Sequence, residues 1–362
     1  MAVDGGPELV QLLTPEGERV EHPNYALDPT PDQVRGWYRD LVLVRRFDTE
    51  ATALQRQGEL GLWASLLGQE ATQIGSGRAL APGDFVFPTF REHGVGWCRD
   101  IDPLQVLGLF RGTTNGGWNP LEHNMALYTI VIGDQVPHAV GYAMGLTFDG
   151  ASDACVVYFG DGATSQGDVN EGFIWGSVFN APVVFFCTNN QWAISEPSER
   201  QTRIPLYRRA AGFGFPGIRV DGNDIFAVYA VTQAALAAAR EGQGPTLIES
   251  FTYRMGAHTT SDDPTRYRSG AELEIWKHRD PIERVKSYLA RNGHADTNWF
   301  ATIEAEGDEL AERLRTGCRA LEAPAATAMF DNIYATPHPR IAEQREQLGD
   351  YLASFVAPAG SR

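Results

Sequence analysis

The sequence predicts an α/β protein with a doubly wound, mainly parallel sheet flanked by helices. Two short and continuous apolar runs, at 154–159 and 182–187, are separated by the length of one helix. A second unit follows, with apolar runs at 218–220 and 246–251 on either side of a helical pattern. Parallel strands that are buried on both faces give such continuous apolar runs. The pattern therefore predicts two βαβ units and ligand binding at the carboxyl ends of their strands.

The elements around this centre are less regular. Residues 1–30 contain many prolines and glycines without periodicity, which predicts an extended N-terminal arm that is ordered only against the rest of a complex. Pro31 and Asp32 begin a helical pattern that continues to about Gln57. Further helices are expected over 69–80, 102–111, 135–147, 168–180 and 224–240. Three parts follow: an arm at 1–30, an α/β domain at 31–270, and a helical C-terminal tail at 271–362.

The composition limits the possible partners and compartments. The chain has 362 residues and a net charge of −16, with 30 Lys and Arg against 46 Asp and Glu. Nucleic acid and anionic membranes require clustered positive charge, so neither is expected as a partner. The N-terminal MAVDGGPELV has no basic region followed by an apolar stretch, and no apolar window reaches about 18 residues. We therefore expect a cytoplasmic protein.

Polar residues follow the first two central strands at the points where these strands end. Gly160-Asp161-Gly162 follows the first strand, and Thr188-Asn189-Asn190 follows the second. The carboxyl ends of neighbouring parallel strands meet at one edge of a sheet, so Asp161 and Asn190 should lie close together. Carboxylate and amide oxygens are ligands that Mg²⁺ prefers, together with phosphate oxygens and water. Glycine also allows the backbone to approach a diphosphate.

Each of these two motifs alone is weak evidence, because Gly-Asp-Gly and Asn-Asn are both frequent in turns. Their joint occurrence at two strand ends, with one crossover between them, favours a functional site. A dinucleotide site would need G-x-G-x-x-G after a strand. Gly160, Gly162 and Gly167 have a different spacing, which disfavours NAD binding.

The segment GDGATSQGDVNEGFIWGSVFNAPVVFFCTNN at 160–190 resembles the thiamine-diphosphate motif. More narrowly, the chain resembles the alpha subunit of the decarboxylase component of thiamine-dependent 2-oxo acid dehydrogenases, closest to the branched-chain type. The supporting segments occur in family order over roughly residues 30–350. They are GQEATQIGSGRAL (68–80), FREHGVG (90–96), QVPHAVG (135–141), RVDGNDIFAVY (219–229) and TYRMGAHTTSDDPTRYRS (252–269). The resemblance implies the thiamine-diphosphate-binding fold with thiamine diphosphate and magnesium as cofactors.

Several site residues are implied by this resemblance. Asp161, Asn190 and the backbone carbonyl of Trp192 match the magnesium ligands. The remaining cofactor-binding positions are Phe90, Arg91, Ile130, Ile132, Gly162, Ala163 and His258. Arg91 matches the arginine that binds the diphosphate, Gly162 and Ala163 match residues that offer backbone amides, and Ile130 and Ile132 match positions that engage the aminopyrimidine ring through their backbone.

His258 is the expected catalytic residue. It lies in a polar loop directly after a strand end, where an imidazole can donate a hydrogen bond to a diphosphate or to an acyl intermediate. The chain departs from the family pattern at three nearby positions. Phe90 replaces a tyrosine, Thr188 replaces an arginine and Ala257 replaces the first of two histidines.

The resemblance implies oxidative decarboxylation of branched-chain 2-oxo acids and reductive acylation of a lipoyl group on an acyltransferase partner. A beta subunit would supply the glutamate that faces the cofactor, in an α2β2 heterotetramer. Two alternatives remain open: the alpha subunit of a pyruvate or acetoin dehydrogenase, and a non-catalytic scaffold subunit of the same fold. Ala64 and Ser65 stand in a stretch where pyruvate-type members tend to carry a histidine, which favours branched-chain substrates.

Overall fold

A six-stranded parallel sheet forms the centre of the computed structural model, which describes residues 9–355. Residues 1–8 of the predicted arm and residues 356–362 of the predicted tail lie outside this range. The sheet has the order β1-β7-β8-β4-β3-β2. Its strands are β1 (Leu9–Val10), β2 (Phe85–Phe87), β3 (Cys155–Gly160), β4 (Val183–Asn189), β7 (Gly217–Asp221) and β8 (Thr246–Phe251). A small antiparallel hairpin of β5 (Trp192–Ala193) and β6 (Glu196–Pro197) follows β4.

Helices cover both faces of the sheet. The helices are α1 (Pro31–Arg56), α2 (Glu70–Arg78), α3 (His93–Cys98), α4 (Pro103–Arg111), α5 (Pro120–His123), α6 (Gln135–Phe148), α7 (Gly167–Val178), α8 (Ser198–Gln201), α9 (Arg209–Phe213), α10 (Ile225–Arg240), α11 (Gly270–Lys277), α12 (Pro281–Arg291), α13 (Thr297–Ala320) and α14 (Pro339–Ala353). Successive side chains of a strand point to opposite faces. Val156 and Tyr158 accordingly face a core with α1, α2 and α10, whereas Val157 and Phe159 face a core with α6 and α7.

The predicted fold class is confirmed, including the parallel sheet and the helical region after residue 270. The strand expected at 246–251 has the predicted bounds, and α1, α2, α4 and α6 agree with the predicted helices to within one or two residues. The continuous apolar runs arise because β3 and β4 are buried on both faces. No helix among residues 9–355 combines the length and the apolar character that crossing a membrane requires.

One expectation needs correction. Residues 9–10 of the arm form β1 and pair with β7, so this part is ordered by the chain's own sheet and not only by a partner. The helix expected over 168–180 is present as α7 (Gly167–Val178), and a separate 3₁₀ helix, Asp161–Ser165, lies between it and β3. The first amides at this strand end therefore belong to the 3₁₀ helix and not to α7.

A single buried carboxylate holds the arm against the domain. One oxygen of Asp224 accepts hydrogen bonds from the backbone amides of Leu12 (2.6 Å) and Leu13 (2.7 Å). The other oxygen caps α10 by accepting from the amides of Phe226 (2.9 Å) and Ala227 (3.2 Å). All four donors would lose their acceptor if this side chain were removed. Asp224 thus joins the arm, the sheet edge and α10.

We expect Asp224→Ala to lower the free energy of unfolding by about 3 kcal/mol, because it leaves several buried amides unsatisfied and removes a helix cap. Urea denaturation followed by circular dichroism measures this loss. Asp296→Ala is the matched control, since Asp296 is an exposed cap that accepts only from the Trp299 amide at the start of α13. Its loss should be about 1 kcal/mol. Equal losses for the two variants would contradict the role of Asp224 in holding the arm.

Candidate active site

The register of β3 and β4 brings the two predicted motifs together. Gly160 pairs with Thr188, and Asp161 and Asn190 follow these residues at the same edge of the sheet. A cavity of about 260 Å³ opens there. Its walls come from the start of α2, the segment before α3, the segment before α6, both strand ends, the β5 strand and the loop after β8.

Nearly all of the predicted site residues line this one cavity. They are Phe90, Arg91, Ile132, Asp161, Gly162, Ala163, Asn190, Trp192 and His258. Ile130 does not belong to the lining, and its side chain is exposed. The backbone of the segment still reaches the cavity through Thr129, Ile132 and Gly133.

The two side chains predicted as metal ligands each form a hydrogen bond with a glutamine. The Gln201 amide donates to Asp161 Oδ2 at 3.2 Å, and Asn190 donates from Nδ2 to Gln69 Oε1 at 3.2 Å. Asp161 is buried, and burial raises the pKa of its carboxyl group to about 6. A cation would stabilise the charged form of this carboxylate. No cluster of three His, Cys, Asp or Glu residues suited to a metal occurs among residues 9–355, so the site depends on one carboxylate and neutral oxygens.

The predicted third ligand, the carbonyl oxygen of Trp192, already accepts a hydrogen bond from Arg254 at 2.7 Å. Arg254 also donates to the carbonyl of Ile194 (2.7 Å) and to the hydroxyl of Tyr267 (3.2 Å). A carbonyl oxygen has two lone pairs, so one remains for a cation. Arg254 thereby holds the hairpin after β4 against the loop after β8.

Arg91 and Arg254 are buried cations that line the cavity without a carboxylate partner in the described part of the chain. Arg91 donates to the carbonyls of Ser65 and His258. Burial lowers the pKa of both guanidinium groups, that of Arg91 to about 10. Unpaired buried charge is costly, and an anion in the cavity would offset this cost.

His258 has a defined tautomer. Its Nδ1 lies 3.3 Å from a guanidinium nitrogen of Arg91, which can only donate. Nδ1 must therefore accept, and the proton of the neutral ring is on Nε2. Burial, followed by the positive charges of Arg91 and Arg254, lowers the pKa of His258 to about 4. The loop itself is held by Asp262, which accepts from the His258 amide at 2.8 Å and from the hydroxyl of Tyr267.

The cavity fits a diphosphate group and its cation. Five lining residues have a buried polar atom without a hydrogen-bond partner among residues 9–355. These atoms are Gln69 Nε2, Gln135 Oε1, Thr188 Oγ1, Trp192 Nε1 and Arg254 Nε. A Cβ atom on Gly160 would meet nothing within 4 Å, so the backbone is open to a ligand at this strand end. On Gly162 it would lie 2.6 Å from the side chain of Ala193, which explains the need for glycine there.

Sequence reasoning missed several polar residues of the lining, in particular Gln69, Gln135 and Glu92, and it missed Gln201, which contacts Asp161. Glutamines are common and have no characteristic spacing, so only the fold reveals that these side chains converge. Gln69 does fall inside the segment GQEATQIGSGRAL, whose match to a family pattern was the one available signal.

The chain is similar to known proteins over most of its length. The family described as "Dehydrogenase E1 component" matches residues 38–314. The 3-methyl-2-oxobutanoate dehydrogenase subunit alpha of Mycobacterium tuberculosis is 44% identical over 98% of this chain and 96% of its own length. The pyruvate dehydrogenase E1 component subunit alpha of Staphylococcus epidermidis is 37% identical over 94% and 92%. The mitochondrial 2-oxoisovalerate dehydrogenase subunit alpha 2 of Arabidopsis thaliana is 38% identical over 85% and 67%.

We expect His258 to remain neutral down to about pH 5, because its pKa is lowered to about 4. The pKa of His258 in the folded chain lies below the ordinary value near 6.5. The stabilisation that comes from neutral His258 is therefore fully present above about pH 6.5 and is lost as the pH falls towards 4. NMR of ¹³C-labelled histidine, assigned with His258→Gln, measures the titration. Arg91→Met should raise the midpoint by removing one cation. A wild-type midpoint at pH 6 or above would contradict this description.

Proposed function

The chain belongs to the family of dehydrogenase E1 components, and on that premise we propose that it is the alpha subunit of a thiamine-diphosphate-dependent 2-oxo acid dehydrogenase of the branched-chain type. Its reaction would be the oxidative decarboxylation of a branched-chain 2-oxo acid, followed by transfer of the acyl group to the lipoyl group of an acyltransferase partner. In this proposal residues 31–270 are the cofactor-binding domain, with the arm before it and the helical tail at 271–362 after it.

The observation that supports this proposal most directly is the pair of buried arginines in the cavity. The hydrogen bonds of the Arg91 and Arg254 side chains go to carbonyl, hydroxyl and imidazole groups. A cavity that contains buried cations without salt-bridge partners is suited to a multiply charged anion such as a diphosphate. Asp161, Asn190 and the Trp192 carbonyl would hold the magnesium ion that accompanies it.

Thiamine diphosphate, when bound, supplies the nucleophilic carbon and the electron sink for decarboxylation. The chain's own residues bind and orient. Arg91 would hold the diphosphate, and amides at the start of the 3₁₀ helix 161–165, including those of Gly162 and Ala163, would add donors. His258, neutral with its proton on Nε2, is a hydrogen-bond donor at the cavity wall. It would donate to the diphosphate or to the reacting acyl group without changing its charge between pH 6 and 8.

Each carboxylate that lines the cavity among residues 9–355 already has another role or partner, so neither is assigned to proton exchange with the aminopyrimidine ring. Among the described residues, its lining contains only two carboxylates, Asp161 and Glu92. Asp161 is assigned to the cation, and one oxygen of Glu92 accepts from both the amide and the hydroxyl of Thr89. We therefore propose that a beta subunit supplies this carboxylate and that the active site forms between chains, in an α2β2 heterotetramer.

An exposed apolar surface extends from the cavity and supports the proposal of a partner chain. Ile132 lines the cavity directly before α6. Large apolar side chains that are at least one third exposed follow on the segment before α6, on α6 and around α7. They are Ile130, Val131, Ile132, Tyr142, Phe148, Ile174, Trp175, Val178 and Phe179. Contiguous surfaces of this kind mark protein interfaces.

The choice of substrate rests on sequence. The M. tuberculosis relative named for 3-methyl-2-oxobutanoate is 44% identical, and the S. epidermidis relative named for pyruvate is 37% identical. We propose a branched-chain substrate and a cytoplasmic location. All four cysteines of the chain are free, which is typical of a reducing compartment.

Reconstitution tests the activity. With its beta subunit and an artificial electron acceptor, the chain should turn over 3-methyl-2-oxobutanoate with a higher kcat/KM than pyruvate. The chain alone should be inactive, because both carboxylates of its cavity lining are already engaged by another role or partner. Equal or better use of pyruvate would overturn the branched-chain assignment, and activity of the isolated chain would overturn the shared site. Asp161→Ala with unchanged activity would instead support a scaffold subunit.

Arg91→Met tests the anion site without relying on turnover. We expect it to abolish the rise in thermal midpoint that magnesium and thiamine diphosphate produce in the wild-type complex. Its ligand-free midpoint should stay within about 2 °C of the wild type, because removal of an unpaired buried cation offsets the loss of its hydrogen bonds.

Arg240→Met is the matched control, since Arg240 pairs with the buried Asp84 outside the cavity. It should lower the ligand-free midpoint by several degrees, because a buried carboxylate loses its partner at a cost of about 3 kcal/mol. Its response to the cofactor should persist. An intact cofactor response in Arg91→Met would contradict the anion site.

A further inference from the structure

Gln69 occupies an unusual position next to the cavity. It directly precedes α2, is 1% exposed and lines the cavity. Its Oε1 accepts from Asn190 Nδ2 at 3.2 Å. Its own Nε2 is buried and has no hydrogen-bond partner among residues 9–355. A buried and unsatisfied donor costs about 1–3 kcal/mol, so this amide requires an explanation.

The contact with Asn190 decides which atom that residue presents to the cavity. An asparagine amide has an oxygen and a nitrogen of nearly equal size, and only the oxygen can bind a hard cation. The nitrogen of Asn190 is occupied by Gln69 Oε1, so Oδ1 faces the other way. The backbone amide of Trp192 approaches Oδ1 at 3.3 Å, which agrees with this orientation. If the side-chain amide of Asn190 were flipped, its nitrogen would face the Trp192 amide and its oxygen would face Oε1 of Gln69. Two donors and two acceptors would then oppose each other.

The orientation of Gln69 follows from the same logic. If its amide were flipped, its Nε2 would face the Nδ2 of Asn190, and two donors would oppose each other. Its Oε1 therefore faces Asn190, and its free Nε2 is left for an oxygen that residues 9–355 do not provide. The side-chain amides of Asn190 and Gln69 thus each have a single orientation. In this orientation Asn190 offers its oxygen to a cation, and Gln69 offers its N–H group to an oxygen among the cation's other ligands.

We propose that Gln69 is a positioning residue for the cation site, which holds Oδ1 of Asn190 towards the metal by accepting a hydrogen bond from Nδ2. This inference rests on the proposed function, because it takes Asn190 as a metal ligand. Partners that orient metal ligands typically contribute 10- to 100-fold to metal affinity. Gln69 contributes through its acceptor oxygen, so a carboxylate at the same position should replace it.

The test uses the complex of this chain with its beta subunit, stripped of metal and cofactor. Mn²⁺ replaces magnesium, and free Mn²⁺ is measured by EPR in the presence of thiamine diphosphate. Gln69→Met, which is similar in size but cannot accept from Asn190, should weaken Mn²⁺ binding about 10- to 100-fold. Gln69→Glu keeps the acceptor and should bind within about threefold of the wild type.

A double-mutant cycle separates positioning from general damage. In an Asn190→Ala background, Gln69→Met should cause no further loss of Mn²⁺ affinity, because the ligand it orients is already absent. Thr232→Val controls for the loss of a buried hydrogen bond, since Thr232 donates to the Val228 carbonyl within α10. Its Mn²⁺ affinity should equal that of the wild type.

The outcomes are distinct. No Mn²⁺ binding by the wild-type complex would overturn the proposed function itself. Wild-type binding together with an unchanged affinity in Gln69→Met would overturn only the role of Gln69. Equal losses in Gln69→Met and Gln69→Glu would also overturn it, because the acceptor would then be irrelevant. If Gln69→Met does not assemble with the beta subunit, Gln69→Glu still tests the same claim, both alone and in the Asn190→Ala background. An Mn²⁺ affinity of Gln69→Glu far below that of the wild type contradicts the acceptor role.

Discussion

The parallel pairing of β3 with β4 is the constraint on which the site depends. Their register places Gly160 opposite Thr188, and the next residues of each strand end leave the sheet on the same side. A shift by one residue would exchange the faces of every side chain on the strand. In the observed register the hydroxyl of Tyr158 forms a hydrogen bond of 2.9 Å with the hydroxyl of Ser76 on α2. After such a shift, Tyr158 would point to the other core. The packing that stabilises the strands and the meeting of Asp161 with Asn190 are therefore consequences of one register.

Several groups that destabilise the folded chain lie at the same edge of the sheet. Asp161 is buried with a raised pKa, Arg91 and Arg254 are buried without carboxylates, and His258 is held neutral between two cations. These arrangements are unfavourable for the chain alone and become favourable when an anion and a cation enter together. Such a site also explains how a chain with a net charge of −16 can bind a diphosphate. The positive charge is local, because it belongs to Arg91 and Arg254, which are buried and line the cavity.

The fold could be predicted from the sequence where burial imposes a local apolar pattern. It could not be predicted where a single long-range contact determines the structure. Strand β8 and helix α10 were predictable because apolar periodicity and the Asp224 cap are local signals. Strand β1 was not, because two residues have no period, and their order depends on Asp224, more than 200 positions away along the chain. The site was predicted through its motif residues. Gln69 and Gln201 were missed because each acts through one hydrogen bond to a motif residue.

The incomplete cavity and the exposed apolar surface have the same origin. A site closed within one chain would have covered Ile132 and satisfied the orphaned atoms of Gln135 and Thr188. In the proposed site the cation side would be complete, with the side-chain oxygens of Asp161 and Asn190 as ligands, whereas the opposite side is open and apolar. This division matches a cofactor with a charged end and an apolar ring end, because the charged end needs preorganised polar groups and the ring needs enclosure. On this proposal, one chain would bind the diphosphate, and the reactive end would be enclosed when a second chain covers α6 and α7.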